Sequence, residues 1–114
     1  MQRLIYKVCR AEEWQRATAD RTYAGSADDI RDGFIHFSTA DQLAGTLARH
    51  FKGQADLVLV SFDPTALGAK LKWEASRGGQ LFPHLYEPLR TSLALAAEPL
   101  PLGGDGVPIL REDL

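Results

Sequence analysis

A histidine and two hydroxyl side chains stand close together in the segment Gly33-Phe-Ile-His-Phe-Ser-Thr39. Side chains alternate between the two faces of a strand, so Phe34, His36 and Ser38 are predicted to share one face. Imidazole transfers protons near neutral pH, and hydroxyl groups form hydrogen bonds with anions and sugars. The segment therefore predicts a site for an anion or a polar substrate. His36 is its catalytic candidate, and Ser38 and Thr39 are ligand-binding candidates.

A second group of candidates lies in Pro83-His-Leu-Tyr-Glu87. The longer segment Leu81–Leu89 contains two prolines, Pro83 and Pro88, which argue against a regular helix or a central strand across it, so an irregular segment held by the scaffold is predicted. His84 and Tyr86 are its ligand-binding candidates. Glu87 is a candidate general base or ribose-binding acid, and Glu74 is the alternative carboxylate. Their structural alternatives are a packed turn for His84 and Tyr86 and solvated surface charges for the glutamates.

The remaining reactive side chains indicate structural roles. No two histidines have the short spacing of a zinc site, so no metal site is predicted. His50 falls late in a predicted helix, where a cation favours the negative end of the helix dipole. Cys9 is on a predicted strand without an adjacent histidine and is interpreted as a small buried thiol. Four cationic side chains are candidates to line a positively charged wall of a site for an anionic ligand, namely Lys7, Arg31, Lys72 and Arg77.

Composition limits the class of protein. At 114 residues the chain is long enough for a single domain. Thirteen basic and fifteen acidic side chains give a net charge of −2, which argues against nucleic-acid binding. No apolar run is long enough to span a membrane, and no signal peptide is recognised. The single cysteine suits a reducing compartment, so a cytoplasmic protein without a membrane partner is expected. No pattern names a protein partner.

Periodicity and turn residues predict the elements that position these side chains. Strands are predicted at 3–9, 33–38, 56–62, 70–75 and 91–97, and helices at 12–20 and 40–51. Thr39 and Gln42 have the spacing of a capping box at the start of the second helix. The segment Arg21–Asp32 is predicted to be a loop. Strands outnumber helices, and both helices fall in the first half, which predicts a small single α+β domain with a mainly antiparallel sheet. Its core would span residues 3–100, followed by an extended C-terminal tail.

Six motifs, in order, resemble the bacterial domain-of-unknown-function family nine-five-two (DUF952). They are Ile5-Tyr-Lys7, Glu13-Trp14, Gly33–Thr39, Asp56-Leu-Val-Leu59, Leu71-Lys-Trp-Glu74 and Leu81-Phe-Pro-His-Leu-Tyr86. The resemblance runs from about Leu4 to Leu100. It implies a compact single-domain α+β protein of a family whose biochemical activity is not established.

A more distant resemblance is to the ADP-ribosyltransferase-like fold, which binds NAD in a cleft between two small sheets. Gly33–Thr39 is similar in kind to that superfamily's second strand motif. The superfamily's first strand often reads Tyr-His-Xaa-Thr, whereas Tyr6-Lys-Val-Cys9 lacks both the histidine and the hydroxyl. This departure argues against classical transferase chemistry. NAD binding without turnover and binding of a different ligand fit the sequence equally well.

The transferase-like resemblance implies NAD or an ADP-ribose-like ligand and a specific set of contacts. The pocket would be lined by Tyr6, His36, Ser38, Trp73, His84 and Tyr86. Glu87 would stabilise an oxocarbenium-like state as the glycosidic bond breaks, and an aromatic ring would stack on nicotinamide. Two alternatives remain, namely a non-catalytic module that binds another small anionic metabolite and a protein-interaction domain whose aromatic residues are simply core.

Overall fold

The computed structural model describes residues 3–114, apart from the side chain of Arg77. Nine strands and three α-helices follow one another in this part of the chain. In chain order they are β1 (Ile5–Arg10), α1 (Ala11–Asp20), β2 (Thr22–Tyr23), α2 (Ala27–Asp32), β3 (Ile35–His36), β4 (Ser38–Thr39), α3 (Ala40–His50), β5 (Leu57–Phe62), β6 (Leu71–Ala75), β7 (Leu81–Leu85), β8 (Leu89–Arg90) and β9 (Ala96–Leu100). Segments of 3₁₀-helix lie at Pro64–Lys70, where Gly68 kinks the chain, and at Arg77–Gly79 and Thr91–Leu93.

The strands form three antiparallel sheets. The largest has the order β4-β1-β5-β9, a second has the order β3-β7-β6, and β2 pairs with β8. Strand β5 is central in the largest sheet, as its continuous apolar sequence predicts. Helices and antiparallel sheets in one domain confirm the α+β class.

The four-stranded sheet separates two apolar clusters. Leu57 and Leu59 of β5 pack on one face with Leu43 and Leu47 of α3. The other face of β5 packs with α1 and the three-stranded sheet, through residues that include Trp14, Ile35, Phe37, Val60, Phe62 and Leu85. Because β5 contributes to both clusters, it is covered on both faces. The segment after β9 also joins the first cluster, where Leu110 and Leu114 are half-buried.

The prediction of a loop over Arg21–Asp32 is wrong. This segment contains β2 and the third helix, α2. The Ser26 side chain accepts a hydrogen bond from Asp29 N–H at 3.2 Å, and Asp29 Oδ2 accepts one from Ser26 N–H at 2.9 Å. This reciprocal capping box satisfies amides at the helix start, and Gly33 ends the helix with a φ of +88°.

The prediction that Leu81–Leu89 avoids a central strand is wrong for Leu81–Leu85 and is confirmed for the irregular residues 86–88. Strand β7 lies between β3 and β6, with Pro83 at its middle position. The Pro83 carbonyl accepts a hydrogen bond from Phe37 N–H at 3.0 Å. The N and O of one strand residue point to the same neighbour, so the nitrogen of Pro83 faces the chain that follows β3 and not β6. The proline therefore removes no hydrogen bond from the β6–β7 ladder, and it is tolerated there.

The last strand begins later than predicted. Thr91–Leu93 is a 3₁₀ turn, and β9 runs over Ala96–Leu100 in place of 91–97. Ala94 N–H donates to the Thr91 carbonyl at 3.1 Å, which turns the chain away from β8. Leu95 N–H then donates to the Ser61 carbonyl at 2.8 Å, and β9 pairs with β5 from the next residue onward. The turn is needed to bring the chain from one sheet to another.

Candidate functional site

The predicted strand Gly33–Ser38 is in fact a crossing between two sheets. Ile35 and His36 form β3 beside β7, whereas Ser38 and Thr39 form β4 beside β1. The predicted alternation of faces is confirmed, because Ile35 and Phe37 pack in the buried core, whereas His36 and Ser38 contribute polar groups to a cleft.

The cleft at this crossing has a volume of about 260 Å³. Its apolar walls come from Tyr6, Val8, Phe37, Phe51 and Phe82. Its polar lining consists of Lys7, Ser26, Asp28, Asp29, Arg31, Asp32, His36, Ser38, Thr46, His50, Ser76 and His84. Helices α2 and α3 and strands from two sheets therefore all contribute to one polar cleft.

A buried ion pair lies beneath the cleft. Lys7 Nζ is 2.8 Å from Asp29 Oδ2, and both side chains are almost fully buried. Lys7 also donates to the His36 carbonyl at 3.0 Å. Asp29 Oδ1 accepts from His36 N–H at 3.1 Å and contacts His36 Nδ1 at 2.6 Å. Lys7 and Asp29 together hold both the backbone and the ring of His36.

Asp29 is charged in this environment. Burial raises the pKa of the carboxyl group, but hydrogen bonding to His36 and the charge of Lys7 outweigh it and hold the pKa well below its usual range. An ionised carboxylate is only an acceptor, so the contact with Asp29 places a hydrogen on Nδ1 of His36. The ring then presents its Nε2 to the cleft.

A second carboxylate contacts the outer edge of His36. Nε2 is 3.0 Å from Asp32 Oδ2, and Asp32 also pairs with Arg31 at 3.0 Å. The hydrogen bond from Arg31 lowers the pKa of Asp32. A neutral imidazole has one N–H, so only the protonated ring can donate to Asp29 and Asp32 together. The geometry therefore fits an imidazolium at His36.

His84 is held in a similar way on the neighbouring strand. Its Nδ1 is 2.9 Å from Glu74 Oε1, which also accepts from Tyr86 Oη at 2.6 Å. Hydrogen bonds from Tyr86 and from His84 lower the pKa of Glu74, while donation to Glu74 raises the pKa of Tyr86. His84 is 5% exposed, and Nε2 is the ring nitrogen that Glu74 leaves unoccupied.

The two histidines are cross-strand partners. His36 pairs with His84 in the β3–β7 ladder, and their ring centroids are 5.5 Å apart at an interplanar angle of 70°. Phe34 stacks on His84 at 4.1 Å and contacts His36 at 4.6 Å and Tyr86 at 5.2 Å. Lys72 of β6 is the next residue in the same cross-strand row. The aromatic packing restricts both imidazole rings to one arrangement.

Two hydroxyl groups face the histidines from α3 and β4. Ser38 Oγ and Thr46 Oγ1 are 2.8 Å apart, and both residues line the cleft. Thr39 caps α3, where its N–H donates to Gln42 Oε1 at 3.0 Å. The hydroxyl pair therefore lies in the cleft, while Thr39 fixes the start of the helix beside it.

The structure brings four predicted site residues into the cleft and leaves the others outside it. Tyr6, His36, Ser38 and His84 line it. Trp73 lies on the opposite face of its sheet and is 45% exposed. Thr39 lies at the cap of α3 outside the cleft lining. The other two, Tyr86 and Glu87, line a shallower depression of about 210 Å³ beside Phe34.

The four predicted cations have different surroundings. Lys7 is buried against Asp29, and Arg31 at the cleft rim pairs with Asp28 and Asp32. Lys72 is exposed on β6. The side chain of Arg77 lies outside the described part of the chain. None of the first three is an unpaired cation inside the cleft.

Sequence reasoning missed the acidic half of the site. Asp29 and Asp32 lie on α2, which was predicted to be a loop, and Thr46 lies on the cleft-facing side of α3. The signal for α2 was Ser26-Ala-Asp-Asp29, a capping-box spacing followed by Gly33. No signal in the sequence places Thr46 beside Ser38.

Residues 8–97 match DUF952, described as a protein of unknown function. The chain belongs to the DUF952 family. It is similar to protein CC0527 of Caulobacter crescentus, with 50% identity. The X-ray structure of that protein superposes with a TM-score of 0.92 over 94% of both chains. Its solution NMR structure gives 0.87 over 97% of this chain and 96% of that one. No curated protein matches this member of DUF952.

Neither a membrane-spanning helix nor a metal-binding group of side chains is found in residues 3–114. None of the described helices has the length and apolar character needed to cross a membrane. Among the same residues, no three histidine, cysteine, aspartate or glutamate side chains are grouped so that they could hold a metal ion.

Proposed function

We propose that the cleft binds a small hydroxyl-rich ligand with an anionic group, of the ribose phosphate type. NAD and ADP-ribose are the larger members of this class, and both are implied by the ADP-ribosyltransferase-like resemblance. One observation carries the proposal, namely that His36, His84 and the Ser38–Thr46 hydroxyl pair line the same cleft. Imidazolium and hydroxyl groups donate hydrogen bonds to phosphate oxygens. The unprotonated nitrogen of an imidazole and the oxygen of a hydroxyl group accept hydrogen bonds from ribose hydroxyls.

The contacts of the lining carboxylates are compatible with an anionic group in the cleft. Asp29 pairs with Lys7, and Asp28 and Asp32 share Arg31, so each of the three carboxylates contacts a cation although there are only two cations among them. An incoming anion would therefore meet carboxylates held in ion pairs, together with imidazole and hydroxyl donors.

The size of the cleft sets how much of a ligand it encloses. Pockets for drug-sized ligands have volumes of roughly 300–1,000 Å³. At about 260 Å³ the cleft suits one ribose phosphate unit, and the remainder of NAD or ADP-ribose would extend across the surface. Glu87 lies outside the cleft, which favours binding without ADP-ribosyl transfer by that residue. A non-catalytic module for another small anionic metabolite would use the same contacts.

The test is a binding series with ADP-ribose, NAD, ribose 5-phosphate and adenosine. Thermal unfolding and isothermal calorimetry on the full chain should show binding of the phosphate-containing ligands. At a hundred times the dissociation constant, a ligand stabilises the native state by about 2.7 kcal/mol. Adenosine, which lacks phosphate, should bind at least about tenfold more weakly, as expected when a charged hydrogen bond of 1.5–3 kcal/mol is absent.

A matched pair of serine variants locates the binding site. Ser38→Ala removes a hydroxyl from the cleft, whereas Ser61→Ala removes a similarly buried hydroxyl from β5 outside it. Loss of one hydrogen bond predicts about threefold to tenfold weaker binding for Ser38→Ala alone. If the phosphate-containing ligands fail to bind, or if both variants respond alike, the ribose phosphate proposal is wrong.

A further inference from the structure

We propose that His36 and His84 form a general acid–base pair that hydrolyses a phosphodiester on a ribose, of the nucleoside 2′,3′-cyclic phosphate class. The inference rests on the proposed ribose phosphate ligand and adds a reaction to it. Ester hydrolysis at phosphorus requires a group to accept a proton from water and another to donate a proton to the leaving oxygen. Two histidines on adjacent strands, facing one cleft, can supply both.

The two imidazole rings are oriented in the same way, by a carboxylate at Nδ1. Each Nδ1 contacts a carboxylate, at 2.6 Å for His36 and 2.9 Å for His84. A carboxylate on Nδ1 fixes the tautomer and rotation of an imidazole and leaves its Nε2 for proton transfer. The ring centroids are 5.5 Å apart, so both rings can reach oxygen atoms on one phosphorus centre.

The surroundings assign different roles to the two rings. Both ring nitrogens of His36 contact carboxylates, and only an imidazolium can donate a hydrogen bond to each of them. His36 is therefore assigned as the acid. Asp32, its outer partner, is at the partly exposed rim of the cleft, where a leaving oxygen can replace it. His84 contacts one carboxylate and keeps the lone pair of Nε2, so it is the base.

The step balances without a further reactant besides water. His84 Nε2 accepts a proton from a water molecule while the water oxygen forms a bond to phosphorus. The bond between phosphorus and one ribose oxygen breaks, and His36 Nε2 donates its proton to that oxygen. The product is a phosphate monoester with a free ribose hydroxyl. Proton exchange with solvent then restores the imidazolium at His36 and the neutral ring at His84.

Other groups in the cleft suit the non-bridging phosphate oxygens. Ser38 and Thr46 provide hydroxyl donors beside the histidine pair. Lys7 is a nearly buried part of the lining, and its contacts with the His36 carbonyl and with Asp29 make it a positioning residue. These groups bind and orient the phosphate, while proton transfer is confined to the two imidazoles.

The experiment uses the full chain and 2′,3′-cyclic AMP, with the adenosine monophosphate product measured by chromatography and phosphorus NMR. Wild-type protein should release the monoester catalytically. His36→Asn and His84→Asn should each reduce the rate by about a hundredfold or more, the range of general acid–base catalysis. Ser61→Ala, outside the cleft, should leave the rate unchanged. Absence of hydrolysis by the wild-type chain overturns the acid–base assignment, as does activity that survives both histidine substitutions.

A second variant keeps the test independent of folding at the buried His84. Glu74→Gln changes a side chain that is 40% exposed and keeps the ring in place, but it weakens the charged contact with Nδ1. We expect about a tenfold lower kcat with little change in KM. Unchanged kcat would overturn the role of His84 as base.

The failure of the reaction and the failure of the ligand proposal have different results. Binding of ribose 5-phosphate without hydrolysis of the cyclic diester refutes the reaction and leaves the ligand proposal standing, whereas loss of both refutes the two proposals together.

Discussion

Lys7 and Asp29, which are 22 positions apart in the sequence, form a buried ion pair with 2.8 Å between Nζ and Oδ2. Lys7 comes from the face of β1 that otherwise packs the core, and Asp29 caps α2. The same carboxylate holds the ring and the backbone of His36. One pair therefore joins the four-stranded sheet, a short helix and the candidate site.

Replacement of Asp29 should destabilise the fold strongly. Asp29→Asn leaves the Lys7 ammonium buried without its counter-charge, and removing one partner of such a pair typically costs 3–5 kcal/mol. Urea unfolding would measure the change in the free energy of unfolding. Asp28→Asn is the matched control, because Asp28 is exposed on the same helix and should change stability by no more than about 0.5 kcal/mol. Equal effects of the two substitutions would contradict the structural role of the ion pair.

The depressed pKa of Asp29 makes stability depend on pH. A folded-state pKa below the unfolded value means that the unfolded chain binds protons more readily, so stability is full above about pH 4 and is lost as pH falls toward the folded pKa. Urea unfolding between about pH 6 and pH 3 should show this loss in the wild-type chain. In Asp29→Asn the decline should be smaller. An identical decline in both proteins would show that other carboxyl groups cause it.

The elements with strong periodicity were predictable from sequence, and the acidic part of the site was not. Helix α3 has an apolar face and a capping signal, and it was predicted at 40–51 against the observed Ala40–His50. Helix α2 has six residues, and its one large apolar side chain, Ile30, is 67% exposed. No apolar stripe marks such a helix, because its caps and the pairing of Asp29 with Lys7 stabilise it.

The position of His84 beside His36 was equally hidden from the sequence. Their contact depends on the register of β3 against β7, and Pro83 argues against a central strand at that place. The register is compatible with proline only because the chain leaves β3 at Phe37 and crosses to the other sheet. That crossing depends on tertiary structure, and the local propensities of the residues do not predict it.

Gly25 is predicted to tolerate no side chain. Its φ is +120°, and a Cβ there would lie 2.7 Å from the Cβ of Asp29. Gly25→Ala therefore combines backbone strain with a displacement of the capping carboxylate, and a cost of about 2 kcal/mol or more is expected. Gly33→Ala is the control, because it has a φ of +88° and open space around the added Cβ. Urea unfolding should show a larger loss for Gly25→Ala, and a smaller or equal loss would contradict the steric argument.

Cys9 should be chemically inert in the native protein. The thiol is 3% exposed on β1, and burial raises its pKa to about 12, with a smaller opposing effect from Lys7. The thiolate is the reactive form, and at pH 8 almost none is present in the folded state. Reaction with Ellman's reagent should be negligible in buffer and should reach one thiol per chain in urea, because Cys9 is the single cysteine. The unfolded sample is thus its own control for stoichiometry. Rapid labelling of the folded chain would show that β1 opens readily, and it would contradict the tightly packed strand from which Lys7 supports the candidate site.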